Sequence, residues 1–335
     1  MENGDLHFGR KELQSTSDMK INMANDETPI KTETQILGDV AVDVHRITAN
    51  DNALLAITRI RPRHSKEPLF PAILVHGSYT NRHFWVSPKG VGMGQYLGEK
   101  GVDVWIPELR GHGLSPKGER FSAITAQDQI YQDLPAIQEY VFRQTAAPAF
   151  WIGHSFGGLF IIAALSRGRL AQDRIKGLIT FGSQISLGDR YLKIPPLAWA
   201  VSGLLRIIGH LPSPSLGLGP EIEPAGTIIE TIRWKKLFGK WTDSDGCSYW
   251  EGLKDIRLPV LTYAAAKDKN DPAEGCRRIH DAYGSSDKIF ILLGRVNRFS
   301  RDYDHVGMVV SREAMTEVWP DVAGWMMDRR RSCGG

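Results

Sequence analysis

The chain is poor in cysteine: Cys247, Cys276 and Cys333 are the only three in 335 residues. They are too few and too scattered to frame a small disulfide-bonded domain, and none stands in a CxxC pair or beside metal-ligand histidines. A reducing, cytoplasmic setting is the expectation. Charge of one sign is equally scarce, since 41 basic residues face 38 acidic ones for a net +3, which supplies no bulk attraction to nucleic acid. The concentrated basic run, Arg329, Arg330 and Arg331, reads as a solvated tail. Long apolar runs are absent too. Crossing a bilayer takes about 18–20 apolar residues, and the nearest stretch, 197–211, is interrupted by Ser202, Gly203, Arg206, Gly209 and His210. Residues 1–31 lack the apolar centre of a secretory signal and read as a flexible leader. No repeat or low-complexity tract stands out.

What is present is an alternation. Two β-branched segments, 38–48 and 53–60, flank Asn50-Asp51-Asn52, a turn sequence, and predict an opening hairpin. Short apolar strands then alternate with helical stretches: strand 70–75 and helix 91–100, strand 102–106 and helix 126–143, strand 150–152 and helix 155–166. After strand 177–181 the pattern breaks. It resumes with strand 260–265, helix 273–283, strand 288–293 and helix 312–327. Continuous apolar strands separated by helices predict an α/β fold, a mainly parallel eight-stranded sheet buried on both faces. The domain plan is a leader (1–31), a first core part (32–186), a helical insertion (187–254), a second core part (255–330) and a tail (331–335). The insertion holds helical stretches at 197–208 and 227–238.

The strongest chemical signal is Gly153-His154-Ser155-Phe156-Gly157, a GxSxG string between a predicted strand and a predicted helix. That context fits a serine projecting from a sharp, strained turn, with glycines on both sides so that strand and helix can approach. A nucleotide-binding turn would also be glycine-rich, but GxGxxG is missing and no lysine follows to grip phosphate.

A serine hydroxyl needs a base to take its proton as it attacks. Chains with this elbow carry the order nucleophile, acid, base. Of the histidines after Ser155, His210 falls in the insertion and His280 in a helix where a solvated face is expected. His305 follows the last strand and precedes the last helix, where the base belongs. The acid should end the preceding strand. Asp268 is the first carboxylate after strand 260–265; Asp271 is the rival, although its place before Pro272 suits an N-cap. The oxyanion that forms on attack needs donors. The backbone N–H of Phe156 is one candidate, and Ser78, with Tyr79 as second choice, is the other, in the loop His76-Gly77-Ser78-Tyr79.

At these residues the chain resembles the α/β-hydrolase family, over about residues 71–325 apart from the insertion. The stretch Pro107-Glu108-Leu109-Arg110-Gly111-His112-Gly113-Leu114-Ser115 is similar to that family's D-x-R-G-H-G-x-S segment, with Glu108 in place of the aspartate and no role assigned to it. The order resembles monoglyceride lipases, lysophospholipase-like hydrolases and the serine aminopeptidases grouped with them; His76, Trp85 and Val104-Trp105 are also similar to the acid lipases. The resemblance implies Ser155, Asp268 and His305 as a triad, the insertion as a helical cap, and neither metal nor organic cofactor. Relatives that open epoxides or remove halide carry Asp at the elbow, so the Ser implies acyl transfer.

The expected function is therefore a serine esterase or lipase acting on a small-molecule, lipid-like ester with a medium or long apolar acyl chain. The helical stretch 197–208 is apolar nearly all round and would either line an acyl pocket or be buried against the main domain; 227–238 interleaves apolar residues with Arg and Lys, which reads first as an amphipathic helix on the core and is also compatible with weak contact to a membrane surface. An amide or peptide hydrolase, a carbon–carbon bond hydrolase and a non-catalytic ligand-binding module are the alternatives.

Overall fold

Asn50, Asp51 and Asn52 close a hairpin between β2 (Val40–Thr48) and β3 (Leu54–Pro62), with Asn52 at φ 66°. The left-handed region is one that Asn tolerates. The computed structural model describes residues 34–63, 68–187, 194–235 and 239–330; the expected leader and the tail lie outside them. A short strand, β1 (Gln35–Leu37), pairs antiparallel with β2. The sheet continues through β4 (Pro71–Val75), β5 (Asp103–Glu108), β6 (Ala149–His154), β7 (Ile175–Phe181), β10 (Val260–Ala265) and β11 (Lys288–Leu293).

The strand order is β1-β2-β3-β5-β4-β6-β7-β10-β11, parallel from β5 onward. That is nine strands, not the eight expected from the sequence. The ninth is β1, whose three residues are exposed and so carry no apolar pattern to read. β4, β5, β6 and β10 are buried along their whole length. Such strands need cover on both faces. One face takes α1 (Met93–Glu99) and, near the C-terminus, α8 (Gly307–Val310) and α9 (Arg312–Arg330); the other takes α3 (Leu134–Thr145), α4 (Phe156–Ser166) and α7 (Ala273–Ala282). α3 is led in by α2 (Ala126–Asp128), capped by Thr125, and a π turn over Gln129–Asp133.

Between β7 and β10 lies the insertion, with α5 (Pro195–Ile208), a two-stranded ladder of β8 (His210–Leu211) and β9 (Glu223–Pro224), and α6 (Ala225–Lys235). Ala198 and Leu205 of α5 pack on Ala225, Ile228 and Ile232. The other side of α5 is bare: Trp199 is 68% exposed, Leu204 56% and Ile207 84%. Over its described part, 225–235, α6 is the amphipathic helix packed on the core that the sequence favoured, with Thr227, Ile228, Thr231, Ile232 and Trp234 buried. Their alternation with charge serves packing on the core. His280 is a second correction: it is buried, its Nδ1 3.0 Å from Thr262 Oγ1, not on a solvated face.

β4 leads to β5 on one side of the sheet while β6 lies on the other. In open parallel sheets the crevice at such a switch point, beyond the C-terminal strand ends, is where ligands bind.

Candidate active site

Three chain segments leave that edge side by side. After β6 the chain turns at Ser155, whose φ of 53° and ψ of −125° are strained for a residue with a Cβ. The turn holds because Ser155 N–H donates to Phe181 O at 2.8 Å and a Cβ on Gly153 or Gly157 would collide with the backbone of Gly158 or of Val75 and His76. Phe156 opens α4, so its N–H has no carbonyl one turn back to bind. His154 faces the opposite way: it stacks on Phe84 and donates from Nε2 to His305 O at 2.8 Å. Burial pushes its pKa well below 6.5, leaving it neutral.

Asp268 and His305 meet behind the serine. His305 Nδ1 donates to Asp268 Oδ2 at 2.7 Å, while Asp268 Oδ1 accepts the N–H groups of Asn270 and Asp271 at 3.0 and 2.8 Å. The Ser155 hydroxyl does not reach His305 directly. It donates to Asp271 Oδ2 at 3.3 Å, and the same oxygen lies 3.7 Å from His305 Nε2. Asp271 is thus not the N-cap of α7, where Pro272 stands; it turns inward, its Oδ1 held by Gln184 Nε2 at 2.7 Å. Burial works against charge on His305, but the bond to Asp268 and the charges of Asp271 and Asp268 outweigh it and raise the pKa.

The loop after β4 carries the two other candidate donors, Ser78 and Tyr79. Gly77 packs against the elbow, since a Cβ there would fall 3.0 Å from Ser155 Cβ. His76 braces the loop by donating from Nδ1 to Gly77 O (2.8 Å) and accepting Leu109 N–H at Nε2 (3.2 Å). Burial and the neighbouring His112 lower its pKa to about 3, so it stays neutral in that tautomer. Of the two oxyanion candidates, Tyr79 N–H is taken by Glu223 Oε1 at 2.6 Å. Ser78 N–H makes no hydrogen bond to the described residues. Glu223 comes from β9 of the insertion and also meets His112 Nε2 at 3.1 Å; Glu221 beside it donates from its N–H to Tyr79 O and accepts from Asn81 Nδ2. Burial disfavours a charged His112, but Glu223 outweighs it and raises the pKa. The insertion therefore clasps the loop that carries Ser78.

Buried charges brace the same edge. Glu108, given no role from the sequence, is fully buried and accepts from Leu114 N–H (2.9 Å) and from Arg82 N–H and Nη1 (3.2 and 3.1 Å). Its extra methylene relative to Asp lets it span β5 and two loops. Arg110 donates from Nε to Asp133 Oδ1 (2.7 Å) and from Nη1 to Asp51 Oδ2 (2.6 Å), tying the π turn to the hairpin. Burial raises the Asp133 pKa to about 6 against the pull of Arg110.

Gly182 is a position, packed against the site, that motif reading missed. It follows β7 at φ 54°, and a Cβ there would lie 2.7 Å from Met308 Cε and 3.1 Å from both Asp268 Oδ2 and His305 Nδ1. Gly182→Ala is expected to lower the reactivity of Ser155 at least tenfold and stability by about 1–2 kcal/mol. Fluorophosphonate labelling with urea unfolding checks both. The available sequence signal was the Phe181-Gly182-Ser183 strand end beside the elbow strand.

Among the described residues no group of three or more His, Cys, Asp or Glu side chains is placed to hold a metal ion, and no helix is long and apolar enough to cross a membrane. Residues 73–225 match the family profile of the serine aminopeptidases, S33. Triacylglycerol lipase 1 of Arabidopsis thaliana is 31% identical over 140 residues, 38% of this chain and 35% of that protein. The chain thus spans about a third of the length of the first such relatives it matches. Among solved structures, a soluble variant of monoglyceride lipase from Saccharomyces cerevisiae with a substrate analogue aligns at TM-score 0.58 and 14% identity, over 89% of this chain and 94% of that one. A monoacylglycerol lipase from Paleococcus ferrophilus aligns at 0.55 and 17%, over 82% and 99%.

Proposed function

We propose that the chain, whose fold is that of the α/β-hydrolases, is a serine hydrolase cleaving a carboxylic ester through an acyl-enzyme, with Ser155, His305 and Asp268 as its triad. The observation that carries the reading is the Asp268–His305 pair at 2.7 Å beside a strained serine at a helix N-terminus. Ser155 Oγ leaves Asp271 for His305 Nε2 and attacks the ester carbon while its proton passes to Nε2. Asp268 keeps Nδ1 protonated and offsets the imidazolium charge. The N–H groups of Phe156 and Ser78 receive the oxyanion, each worth about 3 kcal/mol in such sites. Collapse expels the alcohol, which takes the proton from Nε2; water then repeats the cycle and frees the carboxylate.

The acyl group is apolar in this reading, and the insertion is the cap. What supports it is α5, whose Trp199, Leu204 and Ile207 are exposed, as are Leu216 and Leu218 of the same insertion. Residues 194–220 contain Arg206 and His210 but no acidic residue, a composition suited to an anionic lipid surface. The names of the similar proteins, triacylglycerol and monoglyceride lipases, point the same way.

A panel of p-nitrophenyl esters of graded chain length, with an aminoacyl anilide beside them, tests this. kcat/KM should rise from acetate to medium or long chains, and anionic vesicles should increase turnover of the longest. Preference for the anilide would move the enzyme to the peptidases.

A further inference from the structure

Asp271 is not needed by the triad, yet its Oδ2 lies 3.3 Å from Ser155 Oγ and 3.7 Å from His305 Nε2. The turn after β10 explains how it arrives there. Asp268 Oδ1 takes the N–H groups of Asn270 and Asp271, which folds the chain back so that the Asp271 side chain, buried, points at the elbow. Gln184 then fixes Oδ1, leaving Oδ2 to face Ser155 Oγ at 3.3 Å and His305 Nε2 at 3.7 Å. The imidazole is held between two carboxylates, one on each nitrogen.

On the reading of Ser155 and His305 as nucleophile and base, we propose that Asp271 is a second carboxylate of the catalytic centre. It accepts the serine hydroxyl in the substrate-free enzyme, so the serine must exchange Asp271 for His305 before attack, and it shares with Asp268 the control of the pH at which the base becomes free. No atom is transferred to Asp271 in this exchange: the hydroxyl keeps its proton while its acceptor changes, and the proton later goes to Nε2.

The charges around the pair allow the sign to be worked out. Asp268 faces Nδ1 from the same loop, neutral His154 of β6 lies with its ring centroid 4.6 Å from that of His305, and Asp304 precedes His305 in its own loop. Lys235 of α6 sits with Nζ 5.1 Å from the Phe156 ring and acts on both Asp271 and His305; Cys276 of α7 donates from Sγ to Asp271 O. Burial raises the pKa of Asp271, an effect that Lys235 and His305 oppose. While Asp271 is charged it favours the imidazolium form of His305, which cannot take the serine proton. Activity should therefore rise only as pH passes above the ordinary histidine range, and removing the charge should let it rise sooner.

The test is the pH dependence, from pH 5 to 10, of two rates in the wild type, Asp271→Asn and Asp271→Ala. One is p-nitrophenyl butyrate kcat/KM and the other is second-order fluorophosphonate labelling of Ser155. Neutral Asn preserves the shape, and Ala covers a failure of Asn to fold. The rising limb should move about one pH unit lower in the variants, making them about tenfold faster below both limbs. An unmoved limb, or a fall of equal size at every pH, overturns the proposal. Labelling needs the nucleophile and base but no particular substrate, so a shifted labelling profile without ester turnover would count against the ester reading and still support Asp271.

Discussion

Ser155→Ala is expected to lower ester hydrolysis by about five to six orders of magnitude, or about 7–8 kcal/mol of transition-state stabilisation, with the fold unchanged. The size follows from what the hydroxyl does. Without Oγ no acyl-enzyme forms, and what remains is the oxyanion donors of Phe156 and Ser78 acting on a water, worth about 10³–10⁴ over the uncatalysed rate in comparable sites. The fold should survive because the elbow is set by the Ser155 N–H bond to Phe181 O and by glycine packing, none of which uses the hydroxyl. The melting temperature should stay within about 2 °C. Asp271 loses one donor but keeps Gln184.

Asp268→Asn should cost about 10⁴ in kcat, and the pH profile should tell it apart from Asp271→Asn. Asp268 Oδ1 is bound by two backbone N–H groups, which an amide oxygen can replace but an NH₂ cannot. The Asn amide nitrogen must then face His305 Nδ1 and donate to it. That places the ring proton on Nε2, where it cannot accept from Ser155, and raising the pH does not restore the lost tautomer. A rate recovered at high pH would instead mean that Asp268 acts through charge alone.

How far the sequence could be read depends on what kind of signal each feature leaves. Buried parallel strands are written as apolar runs, so β4, β6, β7 and β10 stood out, as did the hairpin turn at Asn50–Asn52. An exposed three-residue edge strand has no such signature, and β1 was missed for that reason. Ser155, Asp268 and His305 could be located by their order relative to strand ends. The inward turn of Asp271 could not, because it depends on two hydrogen bonds to Asp268 and a partner, Gln184, from a distant strand end. Glu108 was passed over because burial of a charge is invisible in sequence; its partners come from loops that only folding brings together. The two helices of the insertion show the limit of amphipathic patterns. Charge beside apolar residues on α6 marks a helix packed on the core, as it is, whereas the more uniformly apolar α5 is left exposed. The buried His280 was misjudged on the same ground, since one turn of a helix cannot reveal a Thr262 hydroxyl on the adjoining strand.

The central claim is that Ser155 is the nucleophile, and an alkyl fluorophosphonate tests it most directly. After labelling at pH 8 and trypsin digestion, fragmentation of the peptide spanning residues 144–167 should place the phosphonate on Ser155, not Ser166, with no adduct in Ser155→Ala. A modified Ser166, a modified serine elsewhere, or equal labelling of the alanine variant would contradict the account.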